Sequence, residues 1–100
     1  MAEVRWSPQA LRDLDAVGAY LERSSPQYAR SLVARLYAAA GALAEFPLMG
    51  RQVPETELGH IREIVRDGYR IVYFVGGEVV EVLTVLHGRQ DLGKKLRREE

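Results

Sequence analysis

Apolar residues recur at three- and four-residue steps through Leu11, Leu14, Val17, Gly18 and Leu21, which predicts one stripe of an amphipathic helix. Arg12, Asp13, Asp15 and Glu22 mostly fall off that stripe. Ser7-Pro8 gives the start signal, an N-cap followed by a proline whose missing N–H costs nothing at the first helical position. Ser25-Pro26 repeats it, and Ala29, Leu32, Val33, Leu36, Ala40 and Leu43 mark the apolar face of a second helix. Its many alanines are strong helix formers that allow close packing. Pro47 and Gly50 end the pattern, and the short link at Arg23-Ser24 predicts an antiparallel helical hairpin. Ahead of both helices, residues 2–6 alternate and read as a strand.

The second half changes period. Residues 48–60 hold glycines and Pro54 without periodicity and read as a loop. Three strand-like runs follow, 61–66, 69–75 and 78–86, separated by Asp67-Gly68 and Gly76-Gly77. Two-residue links of this kind suit primed hairpin turns and predict a three-stranded antiparallel meander. The tail, 87–100, is expected as a short helix or a mobile segment. The expected class is α+β in two layers, with element order β-α-α-β-β-β.

Two-residue turns also fix a register. Val65 would oppose Arg70 and Glu63 would oppose Val72; beyond the second turn Phe74 would meet Val79, Val72 would meet Glu81, and Arg70 would meet Leu83. One face then carries Ile64, Ile71, Tyr73, Val75, Val80, Val82 and Leu86, and is expected to lie under the hairpin. The other carries Ile61, Glu63, Val65, Arg70, Val72, Phe74, Val79, Glu81, Leu83 and Val85. No helix of size remains to cover it, and an open apolar sheet face reads as a binding surface. Coverage by the tail or by a second copy of the chain is the alternative.

Composition narrows the classes. The 100 residues make one domain, 1–100, with 47% hydrophobic and 28% charged residues. Without cysteine there is no disulfide scaffold, thiolate metal site or cysteine nucleophile. No apolar run approaches a membrane span, and the N-terminal residues lack the features of a signal peptide, so a cytoplasmic protein is expected. The 14 basic and 14 acidic residues cancel, which argues against sequence-independent duplex binding.

Few residues carry candidate chemistry. Arg70 sits mid-strand on the face expected to be open, where its planar fork suits a phosphate or carboxylate. A compatible reading pairs it with Glu63 or Glu81 to hold the strands in register. His87 is a possible acid–base group after the last strand, although a surface hydrogen-bonding role is commoner there. His60 lies in loop sequence, and two isolated histidines make no metal site. Arg89, Lys94, Lys95, Arg97 and Arg98 form a basic tail that is either a solvated segment, the commoner case, or a contact for nucleic acid or an acidic partner. No cofactor is expected.

The order of elements, with particular residues, resembles the RelE/ParE superfamily of bacterial toxins from toxin–antitoxin modules. The stretches that carry the resemblance are Phe46-Pro47-Leu48-Met49-Gly50-Arg51, Val53-Pro54-Glu55, Ile61-Arg62-Glu63-Ile64-Val65, Gly68-Tyr69-Arg70-Ile71-Val72-Tyr73 and Val85-Leu86-His87-Gly88-Arg89. The last two resemble the ParE, or plasmid stabilisation protein, branch. RelE-like members cleave messenger RNA on the ribosome, whereas ParE-like members poison DNA gyrase. Arg70 and Arg89 match superfamily arginines, but Ile61 and Glu63 fall where RelE carries lysines, and Lys95 falls near its tail tyrosine. The resemblance therefore implies a ParE-like gyrase poison. The ribonuclease alternative would use Arg70, Arg89, His87 and Glu63; a non-toxic domain keeping the fold is the third reading. It further implies a cognate antitoxin, a DNA-binding dimer whose C-terminal segment wraps the toxin, while the toxin itself reads no DNA sequence. The antitoxin's expected seat is Ile61, Val65, Arg70, Val72, Phe74, Val79, Leu83 and Val85. Target contact is expected at Arg89, Lys94, Lys95, Arg97 and Arg98.

Overall fold

A computed structural model describes residues 1–57, 59–88 and 90–97. Strand β1 (Glu3–Trp6) leads into helix α1 (Pro8–Glu22) and then α2 (Pro26–Gly41), which tightens into a 3₁₀ turn at Ala42–Ala44. Strands β2 (Arg51–Gln52), β3 (Ile61–Arg66), β4 (Tyr69–Gly76) and β5 (Val79–His87) follow, and then α3 (Leu92–Arg97). The serine caps act as the sequence implies: Ser7 Oγ accepts from Ala10 N–H at 3.0 Å and Ser25 Oγ from Tyr28 N–H at 3.2 Å. The helices cross closely at Gly18, where a Cβ would stand 3.2 Å from Val33 Cγ2.

The five strands form one mixed sheet in the order β1-β5-β4-β3-β2, with β1 parallel to β5 and the remaining pairs antiparallel. Leu14, Leu32, Leu36 and Leu43 from the helical layer pack on Ile64, Ile71, Tyr73, Val80 and Val82. The α1 stripe is rotated from expectation. Leu11 is 47% exposed, whereas Ala10 and Asp13 are buried.

The sheet corrects the sequence reading in three places. First, the stretch expected as a loop holds β2, which pairs Arg51 with Glu63 and Gln52 with Arg62. Two residues are too few for any period to register. Gly50 allows this approach, because a Cβ there would stand 2.5 Å from Glu63 O.

Second, Asp67-Gly68 turns as expected, with φ of 53° and 83°, but the next turn is Gly77-Glu78, with φ of 62° at Gly77 alone. Phe74 therefore meets Glu81 rather than Val79, a two-residue slip that keeps each side chain on its expected face.

Third, β5 carries a bulge. Tyr73 pairs with Val82 but Val72 pairs with Thr84, leaving Leu83 extra, so slip and bulge together replace the expected pairs Val72–Glu81 and Arg70–Leu83 with Val72–Thr84 and Arg70–Leu86. Beyond the bulge the alternation inverts. Val85 turns into the helix-side core, and Leu86 turns to the outer face. The α1 N-cap Ser7 and the α1 residue Asp13 take up the backbone groups that the bulge frees: Ser7 Oγ donates to Leu83 O at 2.8 Å, and Val85 N–H donates to Asp13 Oδ2 at 3.0 Å. Thr84 Oγ1 donates to the same Asp13 oxygen.

The outer face is consequently not open at its centre. Val53 from the loop after β2 and Leu92 from α3 seal a second cluster over Val72 and Leu86, each at most 1% exposed. The tail supplies the cover.

Candidate functional site

The outer face is organised around Arg70 on β4. Glu63 is its diagonal neighbour across β3–β4, where a long side chain reaches. Pro54 and Glu55 form a tight turn closed by Thr56 N–H donating to Val53 O at 3.2 Å, and buried Val53 anchors this turn above the sheet. Glu55 is thereby brought onto Arg70. Nη1 and Nη2 each donate to one Glu55 oxygen at 2.8 Å, a bidentate fork. Arg70 Nε donates to Glu63 Oε1 at 2.6 Å, and Nη2 reaches the same oxygen at 2.6 Å. Arg51, the β2 partner of Glu63, donates through Nε to Glu63 Oε2 at 2.7 Å.

The result is a four-group chain, Arg51–Glu63–Arg70–Glu55, whose formal charges cancel. Glu63's side chain has no exposure and Arg70's has 9%, while Glu55 stays 41% exposed. Hydrogen bonding from Arg70 holds the Glu55 carboxyl below its usual range, against a smaller opposing effect of burial. The same bonds raise the Arg70 guanidinium further above its already high range. All three guanidinium nitrogens therefore face carboxylates of the chain itself. Glu81, the other expected partner of Arg70, is exposed opposite Phe74.

Other candidate residues lie elsewhere. His87 pairs in register with Tyr69, which packs with the helix-side core, and its ring meets the Tyr69 ring edge-on at 5.5 Å. The sheet thus separates His87 from Arg70 and Glu63. Of the expected antitoxin seat, Val72 and Val85 are buried, Ile61, Val79 and Leu83 are half-buried, and Val65 and Phe74 are 48% and 40% exposed. In the tail, Lys94 is exposed, while Lys95 Nζ is tied to Asp13 Oδ1 at 3.0 Å. Arg89 and Arg98 lie outside the described residues, as does the side chain of Arg97. Among the described residues no group of three or more His, Asp or Glu is placed to hold a metal ion, and no helix is long and apolar enough to cross a membrane.

Sequence reasoning gave no role to Glu55, Arg51 or Asp13. Glu55 carried a readable hint, since it follows a proline in a turn. The other two depend on a two-residue strand and on a bulge.

A two-layer α+β fold with a mixed five-stranded sheet is the architecture of RelE/ParE-like toxins, and comparison with known proteins makes the assignment. Residues 4–92 match the family described as ParE toxin of type II toxin-antitoxin system, parDE, and the chain belongs to that family. It is similar to protein Y4kP of Sinorhizobium fredii, with 42% identity over 87% of this chain and 88% of the relative. Toxin RelE2 of Caulobacter vibrioides is 38% identical over 87% of this chain and 96% of its own. Among solved structures, the chromosomal ParDE system of P. aeruginosa superposes with a TM-score of 0.72 at 21% identity, covering 87% of this chain and 96% of that one. The RelBE2 toxin–antitoxin complex of Mycobacterium tuberculosis superposes with a TM-score of 0.56 at 26% identity, over 86% of this chain and 96% of that one.

Proposed function

We propose that this toxin acts by binding rather than by cutting: it engages DNA gyrase and is held in check by a cognate antitoxin. The observation that carries this reading is the closed Arg70 network. A ribonuclease of this fold needs a cation turned toward the developing charge of a scissile phosphate. Arg70 instead spends its fork on Glu55 and Glu63, and His87 stands on the other side of the sheet. Contact with a large target then falls to the basic tail, of which Lys94 is exposed; Arg89, Arg97 and Arg98 are its further proposed members. Similarity to ParDE and RelBE2 assemblies supports the antitoxin as partner, and the exposed Val65 and Phe74 are its proposed contacts.

Similarity to a relative named RelE2 favours a second reading, cleavage of ribosome-bound messenger RNA. One experiment separates the two. Purified protein freed of antitoxin is added to a gyrase supercoiling assay and, in parallel, to a translating extract whose message is mapped for cuts. Altered supercoiling with an intact message is the expected result. Site-specific cleavage of the message by the parent protein would promote the nuclease. Phe74→Asp is expected to weaken antitoxin binding while the thermal unfolding profile stays near that of the parent.

A further inference from the structure

Arg70 holds two carboxylates of different kinds. Glu63 is built into β3, is fully buried and also serves Arg51. Glu55 comes from the turn after β2, remains partly exposed, and closes the outward end of the Arg70 fork with both of its oxygens at 2.8 Å. That end lies beside Val65, an exposed apolar residue that faces Arg70 directly in the β3–β4 register. The charges separate the two roles. Arg51, Glu63 and Arg70 together carry one positive charge, and Glu55 supplies the single negative charge that cancels it.

We propose that the outward end of the Arg70 fork is an exchangeable carboxylate site, filled by Glu55 in the free chain and by an acidic side chain of a protein partner once that partner covers Val65. The inference rests on the reading above that the antitoxin contacts Val65. Exchange preserves what the buried guanidinium needs. Both Nη groups keep charge-assisted bonds to a carboxylate, so neither side of the swap leaves a buried charge unpaired. Glu55 is close enough to solvent that its return to water costs little. Its advantage is its tether, equivalent to a local concentration in roughly the millimolar range, which a partner already held by apolar contact matches. Val65 favours a protein segment over a phosphate chain. Its side chain stands about 5 Å from that of Arg70 across the strand pair, where it gives an apolar side chain a packing surface and a phosphate nothing to bond. The single positive charge of the other three groups also matches one carboxylate.

The test titrates the full chain carrying Glu55→Ala with two capped tripeptides, N-acetyl-Leu-Glu-Leu-amide and N-acetyl-Leu-Gln-Leu-amide, followed through the NMR signals of Arg70 Nε–H and the Val65 methyls. The acidic peptide is expected to shift both saturably, with an affinity at least about tenfold above that of its glutamine twin. The parent chain should bind it several-fold more weakly, because Glu55 competes. Equal affinity for the two peptides overturns the proposal, as does the lack of a saturable shift at millimolar peptide. Inorganic phosphate at matched ionic strength should bind more weakly than the acidic peptide, and tighter phosphate binding would overturn the assignment to a protein. A second variant guards against a disturbed turn. Adding Val65→Glu to Glu55→Ala delivers a carboxylate from the partner's side and should recover most of the urea midpoint that Glu55→Ala loses; no recovery counts against the site. These probes contain neither gyrase nor antitoxin, and Phe74→Asp reads antitoxin binding separately, so failure of the site is told apart from failure of the reading it rests on.

Discussion

On the helix side of the sheet, aliphatic and aromatic side chains form one continuous apolar layer, from Leu14 and Leu36 to Ile71, Tyr73 and Val82. On the outer side, only four aliphatic residues, Val53, Val72, Leu86 and Leu92, form the buried cluster, beside two buried charges, Glu63 and Arg70. The first arrangement is stabilised by area removed from water and tolerates small shifts in geometry. The second depends on complementary charges meeting within hydrogen-bond distance, because an unpaired buried ion costs far more than a lost methyl group. A chain of this size builds its core on one face and leaves the other to a charged lattice and a six-residue helix. The outer face is therefore where removing single groups has disproportionate effects.

The largest effect is expected at Glu63. Glu63→Ala removes a fully buried carboxylate that serves Arg70 and Arg51 at once, leaving Arg70 buried with only half its partners. A loss of about 3–5 kcal/mol is expected in urea unfolding. A loss under about 1 kcal/mol would mean that the outer face is held by its apolar cluster instead. Next comes Leu36→Ala, which opens a cavity under a residue with no exposure and should cost about 2–5 kcal/mol. Leu92→Ala sharpens the contrast. Leu92 is equally buried, yet it sits on a helix of only six residues, which can fray rather than hold a cavity open. A cost under about 2 kcal/mol is expected, and a value matching Leu36→Ala would make α3 part of the core.

Legibility in the sequence divides along the same line. The helix side was readable because its elements are long and periodic: Ser7-Pro8 and Ser25-Pro26 start both helices, and the α2 face falls where the spacing puts it. Leu11 is the exception, displaced because Asp13 is drawn inward by the β5 bulge. The bulge itself was not readable. Leu83, Thr84 and Val85 continue an ordinary strand pattern, and the extra residue is stabilised by Ser7 and Asp13, more than seventy positions away. Val85 and Leu86 exchange faces for that reason. On the outer side, Arg70 was legible as a charge in an apolar strand and Glu63 as a possible partner. The bidentate Glu55 was not, because its approach depends on a turn anchored by Val53 and a two-residue strand.

The smallest expected effect tests that last contact. Arg70 lowers the Glu55 carboxyl from its ordinary value of 4.5, so the ionised form is favoured in the folded chain. A depressed folded value means the contribution is complete above about pH 4.5 and disappears as pH falls through the folded value. Partial exposure of Glu55 screens the pair, which keeps its worth under about 1 kcal/mol. Glu55→Gln should therefore lower the urea midpoint slightly at neutral pH. The gap to the parent should narrow on acidification and in high salt. A gap that persists unchanged below pH 4.5 would show that Glu55 holds its loop by packing, and that Arg70 depends on Glu63 alone.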